Sequence, residues 1–146
     1  MDSKTCKVVR TVVARLDAGE DLLLSLTKLA EGNNIKAGWF NIIGGLKKIV
    51  YGLYEDGKYK NITKEARHCF ELLPTAGNVS IKEGKVLIHA HINATDEEDG
   101  TAYGGHLMEG TLVYPFAEVV LYEVDVELGR IFDPKTNLWP MKFIRS

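Results

Sequence analysis

Two dipeptides constrain this fold before anything else does. Asp56-Gly57 and Glu83-Gly84 each stand between runs that read as strands. Asp-Gly is a hairpin signal, because a type I′ turn needs positive φ at both central residues. A two-residue turn joins antiparallel neighbours, whereas parallel strands need a crossover of a dozen residues or more. The sheet is therefore expected to be largely antiparallel. Its strands are read at residues 7–16, 37–43, 48–54, 78–82, 85–93, 108–113 and 118–126. Residues 64–73 are mixed, with an extended second half. Gly44-Gly45 reads as a sharp connection between two of the strands. Residues 94–102 read as an acidic loop, and the tail from Gly129, with Pro134 and Pro140, as irregular.

One early stretch has the period of a helix. Leu22, Leu26, Leu29 and Ala30 share one face over residues 20–31. Asp17 and Glu20 have the spacing of a capping box, with a carboxylate in place of the usual hydroxyl. Gly32-Asn33-Asn34 is a C-terminal stop, since Gly and Asn tolerate the left-handed conformation. The expectation is a single α/β (α+β) domain over residues 1–146, a largely antiparallel sheet with one main helix near the N-terminus. A chain of 146 residues is long enough to bury one core without staples. The two cysteines, Cys6 and Cys69, have no C-x-x-C spacing, so a disulfide framework is not expected and a cytoplasmic setting is. No signal-peptide core and no apolar run of membrane-spanning length is present.

The chemistry is concentrated in the histidines. Three of the four stand in His89-Ala90-His91 and Gly104-Gly105-His106. In residues 85–93, Val86, Ile88, Ala90 and Ile92 point to the core. Lys85, Leu87, His89, His91 and Asn93 point the other way. Residues two apart on a strand are about 6.6 Å apart along the backbone, near enough for both imidazoles to lean onto one ion. His106 is the candidate third ligand, and Gly104-Gly105 removes the bulk that would keep it away. Three neutral imidazoles suit zinc (Zn2+) best, with nickel, copper, cobalt or iron as other divalent choices. Three protein ligands leave a fourth position for water or a small anion. The plain alternative is a polar strand face, with His106 hydrogen-bonded in a loop.

Other features carry less. Asp96-Glu97-Glu98-Asp99 lacks the alternation of a calcium loop and reads as a solvated turn. His68 and Cys69 are strand neighbours on opposite faces, so Cys69 reads as a buried thiol. Glu71 is a candidate general acid/base or metal-supporting carboxylate, and equally a surface group. Arg15 is a candidate for an anionic ligand, and equally an exposed sheet residue. The formal charge of −2 argues against phosphate-driven binding of nucleic acid, although Lys47-Lys48 forms a local basic pair.

Taken in order, Arg15-Leu16-Asp17-Ala18-Gly19-Glu20, Ala37-Gly38-Trp39-Phe40-Asn41-Ile42-Ile43-Gly44-Gly45, Phe70-Glu71-Leu72-Leu73, His89-Ala90-His91 and Gly104-Gly105-His106-Leu107 resemble the plant- and prokaryote-conserved (PPC) domain family. The resemblance covers about residues 6–133. It implies a compact homotrimeric domain, with His89, His91 and His106 matching the family's histidine motif. It also implies DNA binding or regulation, a role the plant members pair with AT-hooks. No Arg-Gly-Arg-Pro core of that kind occurs here. The plant interaction motif Gly-Arg-Phe-Glu-Ile-Leu is matched at Phe70, Glu71 and Leu73, but His68 and Cys69 replace its Gly and Arg. The fold is also similar to that of acetolactate decarboxylase, a three-histidine zinc enzyme. By that analogy a metal-dependent reaction on a small oxygenated substrate is a further expectation.

Overall fold

The computed structural model describes residues 1–144. After a non-helical start come β1 (Val8–Asp17) and α1 (Leu22–Gly32). Then follow β2 (Gly38–Glu55), β3 (Lys58–Lys82), β4 (Lys85–Asp96), β5 (Ala102–Leu107), β6 (Leu112–Val124), β7 (Leu128–Arg130) and β8 (Met141–Phe143). Strands dominate, α1 is the one helix among the described residues, and every strand pairing is antiparallel save a single β3–β7 contact. None of these residues forms a helix long and apolar enough to cross a membrane.

Both expected hairpins are present. Asp56 and Gly57 have φ 48° and 78°, and Glu83 and Gly84 have φ 50° and 82°. These left-handed pairs bring Glu55 against Lys58 and Lys82 against Lys85. The register of the second hairpin then decides which face the histidines take.

Several boundaries differ from the sequence reading. The two strands expected at 37–43 and 48–54 are one, β2 (Gly38–Glu55). Gly44, at φ 142°, bends it at a register shift without breaking it. A Cβ on Gly44 would lie 2.6 Å from Ala117 Cα, so close β2–β6 packing is what requires glycine there. The mixed residues 64–73 lie inside the long β3. The acidic loop is shorter than expected: β4 runs on to Asp96 and β5 begins at Ala102, leaving a turn held by Asp96 and Asp99 side chains. Residues 108–113 are not a strand of their own; they follow β5, turn at Glu109-Gly110 and enter β6 at Leu112. The tail carries β7, β8 and a bridge between Asp133 and Leu138.

The helix begins two residues late because the cap is Asp21, not Asp17. The Asp21 carboxylate accepts from Leu24 N (3.0 Å) and also from Gly110 N (2.6 Å). Glu20 does reach back to Asp17 N (2.6 Å), but within the turn that precedes the helix. The expected stop holds: Asn33 is the C-cap and Asn34 is left-handed at φ 54°. Leu22, Leu26 and Ala30 are buried and α1 packs on β4.

The strands β2, β3, β4 and β5 close on themselves. Besides the successive pairs β2–β3, β3–β4 and β4–β5, β5 returns to β2 through Leu107–Tyr51 and His106–Gly52. The core runs through this ring and under the helix: Phe40, Ile49, Phe70, Leu72, Val79, Ile92, Leu107 and Leu121 are all buried. Closure fixes β5 on both edges, and β5 carries His106.

Candidate metal centre

The alternation read for residues 85–93 is what the structure shows. Ile88, Ala90 and Ile92 are buried, while His89 is partly exposed and His91 exposed on the opposite face from α1. His91 is the direct cross-strand partner of His106 in the β4–β5 ladder. Such partners have Cβ atoms about 4.5–5.5 Å apart and share a face. Two residues along the strand, His89 joins them. The ring centroids are separated by 5.3 Å (His89–His91), 5.0 Å (His89–His106) and 5.7 Å (His91–His106). One nitrogen from each ring lies within 4.8 Å of the other two.

The two glycines act as expected. A Cβ on Gly104 would lie 2.8 Å from the Ile92 carbonyl oxygen. One on Gly105 would lie 2.9 Å from both Gly52 O and the Tyr51 ring. Only bare backbone lets β5 fit between β4 and β2. Tyr59, from β3, then stacks on His106 with centroids 4.5 Å apart.

The electrostatics favour the neutral form of His89 and His106. Burial pushes the His89 imidazole down to about 4, helped by the Arg130 guanidinium and by His106 and His91. Burial also lowers His106, with His91 and Arg130 adding to it. Neutral imidazole is the form that ligates. The Nδ1 atom of His106 is buried without a hydrogen-bond partner among the described residues. A buried polar nitrogen without a partner is costly, and a cation ligated by that nitrogen would remove the cost. In tetrahedral zinc with Zn–N of about 2.0–2.1 Å, ligand nitrogens are about 3.3 Å apart. With the three nitrogens within 4.8 Å of one another, the rings would close inward to hold the ion, and three neutral imidazoles are a donor set that fits it.

The histidines stand between two cavities. A smaller one, of about 230 Å³, is lined by Trp39, Asn78, His89 and His91. A larger one, of about 420 Å³, is lined by Tyr59, Lys82, His89, His106, Arg130 and Trp139 among others. Arg130, Trp139 and the rest of the tail were missed by sequence reasoning. Nothing periodic marks residues 128–143, and the only signal was an arginine and a tryptophan in a segment otherwise read as irregular.

The other candidates lie elsewhere. Glu71 is exposed on β3, opposite Thr95 and Gly45, and lines neither histidine cavity. Arg15 is on β1, paired with Asp17 at 2.9 Å, beside a separate cavity of about 570 Å³ against Ile43 and Glu118. Cys69 is buried and its thiol has backbone carbonyls as partners, Tyr114 O (3.2 Å) and Phe70 O (3.3 Å). Lys47 lies at an irregularity of β2, where its ammonium donates to Arg67 O and His68 O.

The profile of the Plants and Prokaryotes Conserved (PCC) domain matches residues 3–125. The chain belongs to this family. A PCC-family protein from Pyrococcus horikoshii, described as plant- and prokaryote-conserved, is 33% identical, with a TM-score of 0.84 and full coverage of both chains. A metal-containing protein from Archaeoglobus fulgidus is 30% identical, with a TM-score of 0.81 over 99% of this chain and 100% of that one. A Ralstonia eutropha protein with a provisional DNA-binding description is 26% identical, with a TM-score of 0.80 over 90% of both chains. Two curated Synechococcus proteins called Bifunctional protein GlmU are 28% and 31% identical over 131 and 125 residues. The chain spans about a fifth of the length of these two relatives, 20% of one and 18% of the other.

Proposed function

We propose that this PCC domain is a metal-binding protein that holds a divalent transition ion, zinc foremost, on His89, His91 and His106. The convergence of three imidazole nitrogens within 4.8 Å carries this reading. The metal content of the Archaeoglobus fulgidus relative supports it. A bound ion of this kind acts as a Lewis acid toward an oxygen at its open position. The chain's own part is to keep His89 and His106 neutral, to fix His106 between two strands and to present the rings to a cavity. Metal analysis of protein purified without an affinity tag tests the reading. Near one ion per chain is expected, and none in the triple His→Ala variant. Metal retained by the triple variant would overturn it.

The assembly we propose is a homotrimer. Val8, Val9 and Val13 on the edge strand β1, with Ile43 and Phe116 beyond it, are exposed apolar groups that a partner subunit would cover. Sedimentation equilibrium is expected to give three times the chain mass of 16.3 kDa.

A second reading, DNA binding, is favoured by the description of the Ralstonia eutropha relative. It predicts a gel shift that weakens steeply between about 50 and 200 mM salt. The charge of −2 and the engagement of Lys47 with backbone carbonyls place it second.

A further inference from the structure

We infer that the larger cavity beside the histidines binds a small organic carboxylate, with the carboxylate on Arg130 and an apolar body against Trp139 and Leu138. The cavity, about 420 Å³, is of the size that takes small molecules. Its walls combine indole, leucine and proline from the tail with two cationic side chains.

The decisive group is Arg130. Its three guanidinium nitrogens each donate to a neutral acceptor: Nε to Ser80 Oγ (2.9 Å), Nη1 to the Trp139 carbonyl (3.2 Å) and Nη2 to Asn78 Oδ1 (2.5 Å). A guanidinium has five N–H groups, so one on each terminal nitrogen is left over. Arg130 is partly buried and makes no ion pair among the described residues. Burial lowers its pKa, but arginine stays charged in proteins. A half-buried cation held only by neutral dipoles is oriented without being neutralised. Lys82 adds a second cation, its ammonium 4.0 Å above the Trp139 ring. Asp133 is the one carboxylate among the lining residues, and it is turned to its own loop, accepting from Lys135 N and Thr136 Oγ1. Positive charge therefore exceeds negative inside a partly apolar pocket. An organic anion meets both properties, and a two-oxygen carboxylate matches a pair of terminal guanidinium N–H groups.

The inference rests on the histidine reading for its full strength. A divalent ion at His89 and His106 adds to the positive charge of the same cavity, and an anion between ion and guanidinium offsets their repulsion. Arg130 is also a structural tie between the tail and β3, and a tie alone requires no ligand.

The test uses Trp39→Phe protein, in which Trp139 is the remaining indole, and follows its fluorescence. Benzoate, benzyl alcohol and inorganic phosphate are titrated into metal-free and zinc-loaded samples. Benzoate is expected to saturate the signal at least about tenfold more tightly than either other probe, the worth of a charge-assisted hydrogen-bond contact. Zinc loading is expected to tighten it further. Arg130→Gln is expected to abolish the preference for benzoate over benzyl alcohol, with Arg130→Lys in between. If Arg130→Gln fails to fold, Lys82→Met in the same titration is expected to weaken benzoate and leave benzyl alcohol unchanged. Equal binding of benzoate and benzyl alcohol, or a preference that survives in a folded Arg130→Gln, overturns the inference. Benzoate binding to protein that takes up no zinc sinks the histidine reading alone, while zinc uptake without benzoate binding sinks this inference alone.

Discussion

His89 is kept neutral by its surroundings, and that neutrality makes stability depend on pH. Its folded pKa is about 4, against about 6.5 for a free imidazole. Between those values the unfolded chain binds a proton that the folded form refuses. The stability contribution is therefore complete above about pH 6.5 and is lost as pH falls toward 4. His106 is shifted in the same direction and adds to the effect. Metal-free protein is expected to melt at a lower temperature at pH 5 than at pH 7.5, with His89→Gln flattening part of the difference. A calorimetric series across that range checks this, and a pH-independent Tm in the parent would contradict it. Each histidine is also expected to matter singly. Replacing His91 or His106 by Ala should weaken zinc by about 100-fold or more, beyond the 10–100-fold typical of groups that merely support a ligand. A competition titration against a chromophoric chelator measures it.

At the scale of the element, the site depends on how closely β2, β3, β4 and β5 approach. Gly77 faces Ala90 in the β3–β4 ladder, and a Cβ there would run into the Phe40 ring and lie 2.6 Å from the His89 carbonyl oxygen. Gly77→Ala is expected to destabilise by about 1–3 kcal/mol, the usual cost of overpacking, and to weaken metal binding by displacing the His89 backbone. Urea unfolding together with a zinc titration separates the two effects. Gly105→Ala is expected to lower zinc affinity with less loss of stability, since its Cβ would meet β2 at 2.9 Å, on Gly52 O and the Tyr51 ring, where a Gly77 Cβ would come closer still to the Phe40 ring. The hairpins, the face of β4 and the buried side of α1 were legible because each rests on local rules: positive φ in a turn, period 2 in a strand, period 3.6 in a helix. The continuity of β2 through Gly44 was not. A glycine pair reads as a break, and only the partner strand β6 makes it a bend. The cap was misplaced for a similar reason: Asp17 and Asp21 are locally equivalent, and Gly110, 89 residues away, is part of what selects Asp21.

For the molecule as a whole, the centre joins parts of the chain that are distant in sequence. The ring of strands places β4 beside β5, and the tail returns over that face to supply Arg130 and Trp139. Spacing puts His89 and His91 on one strand face but leaves a metal site and a polar face open, and the family resemblance joins His106 to them; the tail's place has no such signal, because it rests on contacts such as the parallel Ile81–Gly129 pairing and the bonds of Arg130 to β3. A metal bound across His89, His91 and His106 would link β4 to β5 in the folded state and have no such site in the unfolded chain. Ligand linkage then requires stabilisation: free zinc at about 100 times its dissociation constant adds about 2.7 kcal/mol. For a domain of this size each kcal/mol moves Tm by roughly 2–4 °C. Zinc is therefore expected to raise Tm by roughly 5–11 °C over the metal-free protein. A chelator should reverse the rise, and the triple His→Ala variant should show none. Differential scanning calorimetry with and without zinc reads all three, and an equal rise in the triple variant would place the metal elsewhere on the molecule.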